Sequence, residues 1–128
     1  MSTTVNQGIR ISVETNYKED YSDPEENHYL FGYKITIKNT NSFPVQLLRR
    51  IWFIVDSAAE NRQVEGDGVL GLQPVLQPGE IYSYESACDL KTDYGSMHGY
   101  YHFKNLNSEK TFRAQIPEFK LSVPYKFN

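Results

Sequence analysis

Short runs in which apolar and polar residues alternate recur along the chain, and a period of two predicts β-strands. In GIRISVET, residues 8–15, Ile9, Ile11 and Val13 fall on one face, with Arg10, Ser12 and Glu14 on the other. In HYLFGYKITIKN, 28–39, Tyr29, Phe31, Tyr33, Ile35 and Ile37 form the core-facing set. The run VQLLRRIWFIVD, 45–56, is ambiguous. Val45, Leu47, Ile51, Phe53 and Val55 share one parity with Arg49 as the exception, while Leu48, Trp52 and Ile54 share the other. Either the strand is covered on both sides or a bulge resets its register. IYSYES (81–86), GYYHFKN (99–105), TFRAQIPEF (111–119) and KLSVPYKF (120–127) follow the same grammar, although Pro124 limits the pairing of the last.

No stretch of a dozen residues repeats convincingly at 3.6. The breaks DPEEN, NTNSFP, QPGE and NLNSE are turn-like, and KEDYSDPEEN (18–27), with five acids around Pro24, reads as a solvated loop. Seven to eight short strands without a helix predict an all-β fold, an antiparallel β-sandwich with Trp52 in its core, as one domain over 1–128. LKTDY, 90–94, reads as a corner, with Tyr94 placed to return its hydroxyl to the backbone.

Composition narrows the function classes. A chain of 128 residues buries roughly two-thirds of its unfolded surface, enough for a core without disulfide or metal. The lone cysteine, Cys88, allows no internal disulfide and suits a reducing compartment. A net charge of −3, with Arg49-Arg50 the only adjacent basic pair, argues against a nucleic-acid partner. No apolar run has the length of a membrane span, and MSTTVNQGIR lacks the apolar centre of a signal peptide. The expectation is a cytoplasmic protein with no membrane association. Tyrosine is abundant: Tyr82, Tyr84, Tyr94, Tyr100, Tyr101 and Tyr125 exceed what one small core needs. Tyrosine is favoured at interfaces, so these six predict a surface for a protein partner. A sandwich also has edge strands, which accept a partner strand or form a homodimer.

The candidate chemistry centres on EGDGVLGLQPVLQPGE, 65–80, where Gly66, Gly68 and Gly71 spell G-x-G-x-x-G. In a dinucleotide-binding domain that spacing needs a strand before it and a helix after it. Here Pro74, Pro78 and Gly79 follow, so no useful helix starts, and the Rossmann reading is rejected. Two readings stay open. The glycines either permit positive φ or close packing in a long connection, or expose amides as a small anion-binding nest. Glu65 and Asp67 oppose the nest. His98 and His102 share a strand face about 13 Å apart, too far to ligate one metal together. Cys88 or Ser86 with His98 lacks an oxyanion hole and an orienting group, so no catalytic residue is assigned. No cofactor or metal is expected.

The chain resembles the ApaG family over nearly its whole length. The resemblance rests on Arg50 and Trp52 in RRIWFIVD and on Gly66, Gly68, Val69, Gly71, Pro74, Leu76, Pro78, Gly79 and Glu80 in the glycine segment. It continues in Tyr84, Ser86, Leu90 and Thr92, then in Gly95, Met97, Gly99 and Tyr101, and closes with Ile116, Pro117, Phe119, Leu121 and Pro124. Leu70 stands where valine is expected, and Tyr94 where a smaller or apolar residue is. The resemblance implies an immunoglobulin/fibronectin type III-like sandwich and a non-enzymatic protein-interaction module, because related domains in F-box proteins and a polymerase-delta-interacting protein look like such modules. It also implies a genetic link to cobalt and magnesium resistance or efflux. The family's association with a diadenosine tetraphosphate hydrolase suggests an alternative, a binder of pyrophosphate, nucleotide or divalent ion at the glycine loop. The candidate binding residues are Arg50, Gly66, Gly68, Gly71, Tyr84, Gly95, Met97 and Tyr100.

Overall fold

In a computed structural model that describes residues 1–57 and 59–124, the alternating runs become strands of two antiparallel sheets. In chain order the strands are β1 (Ser2–Asn6), β2 (Ile9–Tyr17), β3 (Tyr29–Asn39), β4 (Val45–Asp56), β5 (Arg62–Asp67), β6 (Val75–Leu76), β7 (Ile81–Leu90), β8 (Tyr94–Asn105) and β9 (Thr111–Ser122). One sheet has the order β1-β2-β3-β7, and the other has β5-β4-β8-β9 with β6 paired to β4. This is the expected fibronectin type III-like sandwich, with more strands than the sequence pattern predicts. β1 and β5 sit at sheet edges. Their sequences, STTVN and RQVEGD, are largely polar and leave little core-facing alternation to detect. In the other direction, two predicted strands merge into β9. Pro117, which would interrupt a ladder, falls where the β8–β9 register shifts, so the missing N–H costs no regular bond. Tyr125 and the end of the KLSVPYKF run lie outside the described residues.

The ambiguous run resolves through its register. β4 pairs Leu47 with Phe103 but Arg49 with His102, leaving Leu48 as the extra residue of a bulge. Before the bulge Val45 and Leu47 point inward, and after it Arg50, Trp52, Ile54 and Asp56 do. Ile51 is buried too, yet lies outside the central cluster. Both sequence alternatives therefore hold: the strand is bulged, and part of its outer face is covered.

Trp52 is the centre of the core. Its ring lies 5.7 Å from Tyr33, 5.8 Å from Phe119 and 6.4 Å from Tyr101, each edge-on, a geometry worth ~0.5–1.5 kcal/mol per pair beyond burial. Tyr101 and Phe103 share one face of β8 and are fully buried. The corner before β8 is built differently from the expectation. Tyr94 is 41% exposed. The buried carboxylate of Asp56 holds the turn instead, accepting from Lys91 N at 2.7 Å and from the Thr92 hydroxyl. Among the described residues no helix is long and apolar enough to cross a membrane.

The two open flanks of the sandwich differ. On one, Thr4 Oγ1 donates to Gln115 O at 2.8 Å and Gln115 N donates to Asn6 Oδ1 at 3.3 Å, tying β1 to β9 across the sheets. On the other, edge strands β7 and β5 are bridged, among the described residues, by Arg62, which reaches Asp89 and Cys88. Between them a cleft remains.

Trp52→Ala removes the ring on which both sheets meet and should cost about 3–5 kcal/mol. Urea unfolding should show a lowered midpoint with an unchanged slope. A loss below ~1 kcal/mol would show that the ring is not central to the packing.

Candidate functional site

The cleft is shaped by the bulge and by the glycine segment. Because the bulge turns Arg50 inward, its guanidinium meets the end of β5, where Nη1 donates to Asp67 O at 3.1 Å and Gly68 O at 3.0 Å. Gly66 pairs with Arg50 across the β4–β5 ladder. A Cβ at Gly66 would stand 2.8–2.9 Å from the guanidinium, so only glycine leaves the arginine its place. Gly68 has a different task. Its φ is +57°, and a Cβ there would collide with the Leu72 carbonyl.

Those contacts favour the packing reading of the glycines. The amide of Gly68 donates to Leu48 O at 2.7 Å, that of Val69 to Leu72 O at 2.8 Å and that of Leu72 to Val69 O at 2.9 Å. The Val69 and Leu72 amides close a tight turn and that of Gly68 ties it to β4, so these three are not free to cradle an anion. The same turn holds Leu70 at φ +49°, a conformation that side chains other than glycine rarely adopt. It presents Leu70, 62% exposed, and Leu72, 57% exposed, to solvent.

The inner wall of the cleft carries hydroxyls. One chamber of about 220 Å³ includes Tyr33, Arg50, Trp52, Arg62, Ser86 and Met97 in its lining. A second of about 120 Å³ shares Tyr33, Arg50, Trp52 and Ser86 and adds Val69, Leu70, Gly71 and Tyr84. Burial pushes the phenols of Tyr33, Tyr84 and Tyr101 up from their ordinary value, with the Arg50 charge opposing weakly. All three therefore stay protonated at neutral pH and can donate. The Tyr84 and Tyr101 hydroxyls bond each other, and the nearby Ser86 hydroxyl opposes the upward shift of Tyr33. Tyr84 and Tyr101 are thus core residues, which corrects the expectation that they belong to a surface set. Their hydroxyls satisfy each other, so an interior position costs no lost bond.

Of the eight candidate residues, six meet here: Arg50, Gly66, Gly68, Gly71, Tyr84 and Met97. Met97 is 1% exposed and contributes wall rather than contact surface. Gly95 lies apart, at the start of β8, where a Cβ would strike the Val55 carbonyl. Tyr100 lies on the opposite side of β8. It packs there beside Phe53 and His102, with the Arg113 guanidinium 4.7 Å above its ring. His98 stacks on Phe53 at 5.2 Å in the same outer row. Tyr33 and Arg62 were missed as site residues. The alternation placed Tyr33 in the core, correctly, but said nothing of where its hydroxyl would emerge. Leu70 and Leu72 left one signal, two leucines around Gly71 in a turn-rich segment.

Cys88 is 6% exposed behind Arg62. Burial pushes its thiol up to about 11, against the opposing pull of the Arg62 charge. A thiol with so high a value is a poor nucleophile at neutral pH.

The comparisons agree with this architecture. A family model described as the ApaG domain matches residues 19–105. The "Protein ApaG" of Brucella abortus (strain S19) is 45% identical over 124 residues, covering 97% of this chain and 95% of its own. The "Protein ApaG" of Brucella anthropi is 44% identical over the same span. Among solved structures, an ApaA-designated protein from Bordetella pertussis superposes with a TM-score of 0.87 at 40% identity, over 91% of this chain and 94% of its own. A second X-ray structure, a structural-genomics target, gives 0.86 at 37% identity, over 94% and 91%.

Alkylation of Cys88 by iodoacetamide in the native protein should be at least ~100-fold slower at pH 7.5 than that of free cysteine, and should rise steeply only above pH ~10. The raised thiol value favours the folded state below the ordinary cysteine range, and that contribution is lost as pH climbs toward about 11. Native-state alkylation at the free-cysteine rate would show that Arg62 and burial do not protect the thiol.

Proposed function

The chain belongs to the ApaG domain family, and from that premise we propose that it is a non-enzymatic protein-interaction module whose partner docks on the loop tip at Leu70 and Leu72. The observation that carries this reading is the tip itself. Two leucines stand out in water on a turn closed by reciprocal Val69–Leu72 backbone bonds, one of them in a rare left-handed conformation. Exposed apolar side chains held by strained, tightly bonded backbone suit a preorganised contact, because little ordering remains to be done on binding. The rest of the tip supports it. Gly71 has φ +77° and open space around its α-carbon, so a partner's backbone can approach closely. Tyr100 and its outer aromatic row offer a second face on the other side of β8, and a homodimer would use the free edge of β7 or β5 rather than the tied edges of β1 and β9.

No chemistry is assigned to Ser86, Cys88 or His98. The cobalt and magnesium link that the resemblance implies runs, in this reading, through the docked partner and not through an ion held by this chain. Among the described residues no group of three or more His, Cys, Asp or Glu side chains is placed to hold one.

The test is affinity capture with the wild-type domain and with Leu70→Asp/Leu72→Asp as parallel baits, after circular dichroism shows both folded. Gly68→Asp is unsuitable as a control, since its Cβ would break the turn. A partner recovered by the wild type should fall at least ~10-fold with the double variant, a loss of ~1.4 kcal/mol. Undiminished recovery would remove the tip from the interface. A variant bait that self-associates less than wild type in sedimentation would identify the occupant as a second copy of this chain.

A further inference from the structure

We propose that the cleft between β7 and β5 is a binding site for a small oxyanion, the carboxylate or phosphate group of a small acid, with Arg50 as its charge anchor and the Tyr33 and Ser86 hydroxyls as its neutral donors. The inference starts from an arginine that points inward. The bulge sets Arg50 on the side of β4 that carries Trp52 and Ile54, where an apolar residue would ordinarily sit. No carboxylate among the described residues pairs with it: the ion pairs are Arg49 with Glu65 and Asp67, and Arg62 with Asp89. Its bonds to Asp67 O and Gly68 O both come from Nη1. A guanidinium carries five donors in a planar fork matched to two-oxygen acceptors. A half-buried cation with neutral partners only is costly unless an anion completes its shell.

The surroundings favour an anion over any other ligand. The larger chamber is lined by two guanidiniums, Arg50 and Arg62, and by one carboxylate, Asp89. Asp89 is already held by Arg62 at 3.2 Å. The local balance is therefore one positive charge in excess, beside hydroxyls that burial keeps protonated. Trp52 and Met97 supply low-dielectric walls, which strengthen a charge interaction at the mouth of the cleft. Size sets the class. Chambers of about 220 and 120 Å³ fall below the ~300–1,000 Å³ of pockets that enclose drug-sized ligands. They admit a single small acid and exclude a whole dinucleotide.

Gly66 supplies an independent sign that the guanidinium's position matters. Any side chain there would push Arg50 from its seat, although Gly66 itself needs no unusual φ. The first glycine of G-x-G-x-x-G thus serves an anion through an arginine and not through its own amide. The smaller chamber borders the docking tip at Leu70, but the larger one contains neither leucine, and Leu70→Asp leaves Arg50, Tyr33 and Ser86 in place, so loss of docking and loss of anion binding are distinguishable.

The test is a ¹⁵N NMR titration of the intact protein with inorganic phosphate, pyrophosphate and acetate in separate arms at constant ionic strength. Saturable amide shifts at Tyr33, Gly66 and Ser86, with a Kd of ~1 mM or tighter, are expected in at least one arm. Saturation by acetate alone assigns a carboxylate, and by phosphate or pyrophosphate alone a phosphoryl group. Arg50→Met should weaken binding at least tenfold. Ser86→Ala, which removes one hydroxyl without disturbing the β4–β5 end, should weaken it several-fold and guards against a folding defect in the first variant. No saturation by ~20 mM in any arm, shifts centred on other residues, or unchanged affinity in both variants would overturn the proposal.

Discussion

The bulge at Leu48 is the constraint from which both the core and the cleft follow. One extra residue in β4 exchanges which side chains face inward along the rest of the strand. Without it, Ile51, Phe53 and Val55 would enter the core while Arg50 and Trp52 met solvent. With it, Trp52 reaches Tyr33, Phe119 and Tyr101, and Arg50 arrives at the end of β5 as an obligatory neighbour of that packing. The arginine cannot be returned to water without also withdrawing the tryptophan. Large aromatic burial at Trp52 thus holds a cation in place two residues earlier on the same face of β4.

The asymmetry of the flanks then decides where the cation is reachable. β1 and β9 are tied across the sheets by side-chain to backbone bonds, and the cavity of about 500 Å³ beside them, lined in part by Asn6, His98, Tyr100 and Gln115, does not include Arg50. Among the described residues β7 and β5 are bridged by Arg62 and its neighbours, and free volume remains beside Arg50. An edge strand is a hazard when flat and apolar. Here β7 turns Ser83, Glu85, Ala87 and Asp89 outward and β5 is largely exposed, so the open side stays polar while its interior stays aromatic. A wet rim over a dry wall suits a small charged ligand better than a strand-for-strand partner.

The period-two pattern made the central strands legible because each has one dry face: Ile9, Ile11 and Val13, or Tyr101 and Phe103, are all essentially buried. It failed where that premise fails. β1 and β5 have polar sequences at sheet edges, and the corner at LKTDY is held by Asp56, a residue thirty-odd positions away that no local pattern connects to it. The run 45–56 announced its bulge as a clash of parities, but the pattern alone could not say which half was displaced. The candidate site was legible in part. The glycines and Arg50 stand out in the chain, whereas Tyr33 and Arg62 join them only through sheet pairing across β3–β7 and the approach of β5 to β7.

The three glycines show why a spacing motif carries so little meaning by itself. In a dinucleotide fold the same spacing works because all three glycines serve one backbone turn in front of a helix. Here each answers a different neighbour. Gly66 yields space to a side chain, Gly68 yields space to a carbonyl at positive φ, and Gly71 leaves the tip uncovered. A phosphate cradle needs free amides converging on one point, yet this turn spends those of Val69 and Leu72 on its own closure and that of Gly68 on Leu48 O of β4. The positive charge that an anion requires has to come from elsewhere, and the β4–β5 ladder supplies it by setting Arg50 directly against Gly66. The motif and the arginine are therefore one device: the glycine spacing shapes the seat, and the bulge delivers the charge that occupies it.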